Sequence, residues 1–228
     1  MPHSLRISQA VIKRLPRYYR YLSALHQMGI SRISSGDLSK RMGVVASQVR
    51  QDFSHFGAMG LQGYGYEVPL LLQEIRNILG LSTPKQVIII GAGSLGQALA
   101  KYPNFERDGF QIAAIFDANP ALSGQTVGQY HIRFIADLQA FIADNHVDIA
   151  ALTVPTVFAR EVCSSLVSYG IKGIWNFASV ELDVPEDVAL ENIYLIDSLI
   201  TLGYHLDTKK QLAEKQRQKE ALRRHSNK

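Results

Sequence analysis

The stretch VIIIGAGSLGQAL, residues 87–99, decides the fold. Four apolar residues lead into Gly91, Gly93 and Gly96, after which apolar residues recur at helical spacing. Strand, G-x-G-x-x-G and helix in that order form the context in which this glycine pattern carries meaning. Gly91 permits a tight turn, Gly93 lets the backbone approach a pyrophosphate, and Gly96 lets helix and strand pack closely. The first amides of the helix then face the phosphates. Asp117 closes the next apolar run, 112–117, 21 residues beyond Gly96. A carboxylate there hydrogen-bonds ribose hydroxyls and repels a 2′-phosphate, which favours NADH or NAD+ over the phosphorylated dinucleotide. The plainer reading of the same residues is a glycine turn, with Asp117 capping the turn in DANP.

Outward from this stretch, strand and helix patterns alternate. Strands are expected at 87–91, 112–117, 130–135, 148–154, 171–177 and 192–196, with helices at 95–102, 138–145 and 157–169. That alternation predicts a doubly wound parallel sheet in an α/β fold. Thr153, Val154 and Pro155 end one strand and Asn176 ends the next, so they are placed to line the cofactor crevice; punctuation between strand and loop is the alternative for each. Residues 195–224 read as one long helix with an apolar start and a basic end.

The first third has a different character. Residues 8–29 read as a helix ended by Gly29, with Pro16 either inside it or starting its main part. Residues 34–43 and 47–57 read as two short helices joined by a tight turn, the helix-turn-helix pattern. The glycine-rich run 57–68 suits a hairpin wing, and a helix follows at 68–81. In the third helix Val49, Phe53 and Phe56 form an inward face. Ser47, Gln48, Gln51, Ser54 and His55 form the outward one, flanked by Arg50, as a major-groove reader requires. Tyr64 on the wing joins this DNA-contacting set. Lys13, Arg14, Arg17, Arg20, Lys40 and Arg41 are available for phosphates. A polar face on a helical dimerisation domain is the competing reading. The domain boundaries drawn are 1–81, 82–196 and 197–228.

The charge pattern supports this division. Across 228 residues the net charge is +4, yet residues 1–66 carry a net +7, 67–208 a net −9, and 209–228 a net +6. A basic first third suits a polyanion. The single Cys163 rules out an internal disulfide and a cysteine zinc cluster, and suits a reducing compartment. The opening residues MPHSLRISQAV lack a signal peptide's apolar core, and no apolar run is long enough to span a membrane, so a cytoplasmic protein without a metal is expected. None of the seven histidines is placed as a catalytic base. No second lobe remains to close over a substrate. An NAD-dependent oxidoreductase with its site completed by a dimer partner stays the alternative to a DNA-binding sensor.

The runs RLPRYYRYL (14–22), ISSGDLSKRMGVVASQVRQDFSHFGAMGLQGYGYEV (33–68), IIIGAGSLGQALAKY, LTVP and GIKGIWNFA (170–178), in this order, resemble the redox-sensing transcriptional repressor family Rex. The resemblance extends to about residue 206. It implies a homodimer with an N-terminal winged helix, a Rossmann-like domain and a C-terminal helix exchanged between subunits. It also implies repression from a palindromic double-stranded operator and release when NADH binds. The family's cofactor turn falls on Gly91, Ala92, Gly93, Ser94, Leu95 and Gly96, and its adenosine-side acid on Asp117. Tyr102 and Arg20 match residues of a relay between the cofactor and the DNA-binding half. Three positions depart from the pattern. Gln51 replaces a lysine of the reader helix, and Gln62 replaces an arginine of the wing. Tyr194 stands where the relay's aspartate is expected, with Asp197 one helical turn later as its substitute.

Overall fold

The computed structural model describes residues 7–55, 60–61 and 64–226, and the chain divides into two compact units, 1–84 and 85–228.

The first unit opens with α1 (Gln9–Gln27), whose first turn is capped by the Ser8 hydroxyl accepting from the Val11 amide. Val11, Leu15, Tyr18, Leu22 and Leu25, three or four residues apart, form its buried face. Pro16 starts no separate helix. It lies inside an unbroken one, on the exposed side, where only its own missing N–H is lost. α2 (Ser35–Met42) is capped reciprocally. The Ser34 oxygen accepts from the Asp37 amide at 3.0 Å while its hydroxyl donates to the Asp37 carboxylate at 2.7 Å. Gly43, at φ +65, ends the helix and turns the chain into α3 (Ala46–Ser54). The wing strands β2 (Gly60–Leu61) and β3 (Gly65–Glu67) are joined by one that the sequence did not reveal, β1 (Arg32–Ile33). The antiparallel order is β1-β3-β2. α4 (Val68–Ile78) then lays Val68, Leu71 and Ile75 against α1. Phe56 and Gln62, the first expected in the core and the second on the wing, lie outside the described residues.

The second unit is a seven-stranded sheet in the order β10-β9-β8-β4-β5-β7-β6. Its strands are β4 (Lys85–Ile90), β5 (Phe110–Asp117), β6 (Thr126–Val127), β7 (Tyr130–Phe134), β8 (Ile149–Leu152), β9 (Gly173–Asn176) and β10 (Ala189–Asn192). All pair in parallel except β6, an antiparallel edge strand added by a short turn through Gly128. Helices α5 (Ser94–Ala100), α6 (Leu138–Asp144) and α7 (Thr156–Ser168) make the crossovers. Val87 to Ile90 are all buried, because β4 is covered on both faces. The chain leaves β4 for β5 on one side and returns to β8 on the other, so the carboxyl ends of β4 and β8 flank the crevice where such sheets bind ligands.

One strand is displaced from expectation. The final strand is 189–192 rather than 192–196, because its register with β9 sets Ala189 against Gly173 and Asn192 against Asn176. Of the apolar run after Asn192, Ile193 and Tyr194 form the link and Leu195 and Ile196 open α8 (Leu195–Ser226). Leu195, Ile196, Leu199, Ile200, Leu202, Tyr204 and Leu206 on that helix are all exposed. Among the described residues no helix is long and apolar enough to cross a membrane.

Ile75 is fully buried among Leu15, Leu22 and Leu71 in the core of the first unit. Ile75→Ala is expected to cost about 2–5 kcal/mol of that unit's stability, measured by urea unfolding followed by helical circular dichroism.

Candidate functional site

In the second unit the site is built around the glycine turn between β4 and α5. Gly91 has φ +105, and a Cβ there would stand 2.7 Å from the Thr153 carbonyl oxygen. A Cβ on Gly96 would overlap the Gly91 carbonyl and approach the Thr153 hydroxyl to 2.9 Å. Gly93 differs: a Cβ on it would meet nothing within 4 Å, so the space above it is open. Gly93 is also the residue before α5, and no side chain caps that helix start. The turn therefore presents amides of Ser94 and Leu95 to an open space that a phosphate group fits.

Side chains from neighbouring elements hold the turn. The Thr153 hydroxyl donates toward the carbonyls of Ile90 (3.0 Å) and Gly91 (2.7 Å). Gln97 donates to the Ala92 carbonyl at 2.8 Å. Asp117 accepts from the Ala92 amide at 2.6 Å and from the Asn119 amide at 2.7 Å. Each carboxylate oxygen keeps a second lone pair for a hydroxyl donor. Thr153 was expected as a lining residue; its bracing role, and Gln97 altogether, were missed, because the sequence does not show which carbonyls stand nearby.

The cleft at this turn encloses about 1110 Å³. Gly91, Gly93, Leu95, Asp117, Thr153, Val154, Pro155 and Phe177 line it. Ala92 is buried behind the turn, its carbonyl and amide both used internally. Asn176 requires correction. It is fully buried and lies behind the cleft, its amide donating to Val180 and Asn192 and its oxygen accepting from Ala178. It braces the ends of β9 and β10; the next residue, Phe177, is the one that reaches the cleft.

Tyr102 is not in the cleft wall either. It is exposed beyond the end of α5, but joined to the cleft by a chain of rings. Tyr102 meets Phe105 (centroids 5.2 Å apart), Phe105 meets Trp175 (6.0 Å), and Trp175 meets Phe177 (4.5 Å). Tyr194 directly precedes α8, its carbonyl accepting from the Asp197 amide at 3.2 Å. Asp197 is exposed in the first turn of that helix, where the helix dipole favours its charge. Cys163 is buried on α7 and its thiol is pushed up by burial, so it packs rather than reacts.

In the first unit Ser47, Arg50, Gln51, Ser54 and Tyr64 are exposed and His55 is half-buried. Arg50 donates to the Ser35 hydroxyl at 3.2 Å, and Arg20 is exposed on α1. Arg14 and Gln48 were both expected to face DNA freely, and the structure alters that. The reader helix carries a carboxylate, Asp52, that is fully buried. Arg14 reaches it with two nitrogens, Nε at 2.8 Å and Nη2 at 2.6 Å. The Tyr18 hydroxyl adds a bond at 2.9 Å and Gln48 another at 2.8 Å. Burial pushes the Asp52 carboxyl up, but the donors from Arg14, Gln48 and Tyr18 outweigh it and hold the group below the ordinary range. Burial and the bond to Asp52 push the Tyr18 hydroxyl well above its usual value, so it stays a donor. Among the described residues no group of side chains is arranged to hold a metal ion.

The family model described as "Putative DNA-binding protein N-terminus" matches residues 6–54, and the one described as "CoA binding domain" matches residues 82–180. The redox-sensing transcriptional repressor Rex of Caldicellulosiruptor saccharolyticus is 50% identical over 210 residues, 92% of this chain and 95% of that protein. The Rex of Clostridium perfringens is 49% identical over 201 residues, 88% of this chain and 95% of that one. The crystal structure of RSP, a Rex-family repressor, has a TM-score of 0.84 at 46% identity, covering 91% of this chain and 97% of its own. RSP in complex with β-NAD+ and operator DNA gives 0.83 at 47% identity, covering 91% and 96%.

Gly96→Ala forces backbone apart and should destabilise the second unit by about 1–3 kcal/mol or more. Gly93 has φ −68, a value any residue adopts, so Gly93→Ala should leave thermal stability unchanged or slightly raised while weakening dinucleotide binding; melting curves with and without dinucleotide separate the two. A carboxyl held low in the folded state stabilises above its unfolded value, near pH 3.9, and loses that contribution as pH falls through the folded value. The first unit should therefore lose stability as pH drops below about 4, and Asp52→Asn, less stable at neutral pH, should show a flatter dependence in urea titrations.

Proposed function

The chain belongs to the Rex family of redox-sensing transcriptional repressors, and from its own geometry we propose how it performs that role. The second unit binds NADH or NAD+ with the pyrophosphate over Gly93 and the amides of Ser94 and Leu95. Asp117 takes the ribose hydroxyls, and the nicotinamide lies toward Thr153, Val154 and Pro155. The first unit binds operator DNA through α3 and the wing. The observation that carries this is the open space above Gly93, bordered by uncapped helix amides and the Asp117 carboxylate, on the same chain as a helix-turn-helix. The bound dinucleotide supplies the redox signal; the chain's residues bind and orient it. The family acts in repression rather than catalysis. An oxidoreductase completed by a dimer partner has nothing to recommend it here.

A ligand switches a protein only by binding one arrangement better than another. The ring chain from Phe177 to Tyr102 supports Tyr102 as the residue that senses the cleft. Arg20 on α1 and Asp197 at the start of α8 are its proposed partners, Asp197 taking the role that Tyr194 cannot fill as a neutral side chain. A homodimer is part of the same proposal. The apolar face of α8 is exposed along its first three turns and beyond, and an apolar cavity of about 420 Å³ lined by Val87, Phe105, Ile149, Trp175 and Leu190 lies open on the sheet. Two such surfaces on each chain suit exchange of α8 between copies, which a palindromic operator matches. The reading places the protein in the cytoplasm, where its DNA is.

Fluorescence anisotropy of a labelled palindromic family operator, titrated with NADH and with NAD+ at fixed salt, tests the proposal. NADH should release the DNA at concentrations where NAD+ does not. Indifference to both would sink the switch while leaving the DNA binding. Asp197→Ala should bind NADH as before yet need more of it for release; an unchanged release curve would remove Asp197 from the relay.

A further inference from the structure

The buried carboxylate of the reader helix does more than hold α3 to α1. We infer that Asp52 is a positioning residue for base recognition: it fixes the side-chain amide of Gln48 in one orientation, and that amide reads an adenine in each half-site. The inference rests on the proposal that α3 enters the major groove.

Gln48 lies in the first turn of α3, the part of a recognition helix that meets base edges. Its Nε2 donates to Asp52 at 2.8 Å. A flipped amide would set its carbonyl oxygen against a carboxylate, two acceptors face to face, so the flip is forbidden. Asp52 cannot move to allow it, because Arg14 grips both its oxygens from outside and Tyr18 holds one from below. Nor can it take a proton to become a donor, since a carboxyl so surrounded by donors stays ionised.

With one N–H committed, the Gln48 amide keeps Oε1 and its second N–H. The oxygen takes no hydrogen bond among the described residues. An acceptor beside a donor in fixed order matches adenine, whose major-groove edge offers the N6 donor beside the N7 acceptor. Guanine, with two acceptors there, leaves Oε1 facing O6 or N7 and is rejected. Gln48 is only half-buried, so the uncommitted side of the amide is open to a ligand. Arg14 retains Nη1, and its side chain is 29% exposed, which leaves it one edge for a phosphate while the other holds Asp52.

The test is selection of binding sites from a random duplex library by the full-length protein, by Gln48→Met and by Asp52→Asn. The wild-type chain should enrich a palindrome containing an adenine at one symmetric pair of positions. Gln48→Met keeps the Asp52–Arg14 pair and should lose preference at that pair alone, with affinity for the wild-type site falling about tenfold. Asp52→Asn offers Gln48 an amide hydrogen as well as an oxygen, frees the flip, and should relax the same pair. A loss of stability alone would weaken all positions evenly. An unchanged motif from Gln48→Met overturns the inference even where Asp52→Asn fails to fold. A wild-type chain that enriches no motif overturns the DNA-reading proposal itself.

Discussion

The contact on which the second unit depends is the approach of the Gly91 carbonyl to the Cα of Gly96. It brings helix α5 onto strand β4 with no room for a side chain between them, and Thr153 fastens the junction from β8. The turn is thereby held by the chain's own contacts. A pre-formed cradle avoids the entropy of ordering a loop on binding, so more of the ligand's affinity is left to differ between two arrangements of the protein. A sensor needs that difference, whereas an enzyme would spend it on the chemical step.

The first unit solves a related problem with charge. A carboxylate removed from water is costly unless several donors meet it, and here α1 supplies an arginine and a tyrosine while α3 supplies its own glutamine. Apolar packing of Leu15, Val49 and Phe53 brings the helices together but leaves their rotation loosely specified. The hydrogen bonds set one rotation. Affinity for DNA rests on positive charge at the surface and discrimination among sequences on helix orientation, and Arg14, with one edge on Asp52 and the other exposed, is placed to serve both.

Much of this was legible in the sequence. The strand-glycine-helix order named the cradle, alternation gave the sheet, and the helical spacing of Leu15, Tyr18, Tyr19, Leu22 and Leu25 gave α1. What escaped did so for physical reasons. The run 192–196 reads as a strand because a short apolar run looks the same whether it is buried in a sheet or not; here Ile193 and Tyr194 are half-buried after β10, and Leu195 and Ile196 are exposed at the start of α8. Strand β1 has only two residues and exists because β3 pairs with it, a long-range fact absent from local pattern. Asn176 and Phe177 are adjacent, yet one is buried as a brace and the other reaches the cleft, a difference set by the pleat. Asp52 has no signature in the sequence, because its burial and a partner 38 residues away cannot be read along the chain.

The ring chain behind the cleft includes the sole tryptophan of the molecule, Trp175, in contact with a residue of the cleft wall. Indole emits where the reduced nicotinamide ring absorbs and the oxidised ring does not. The chain thus carries an optical donor beside the site whose oxidation state it registers. Its own fluorescence is thereby expected to distinguish the two forms of the dinucleotide without label or DNA, separating occupancy of the cleft from what the reader helix does with it.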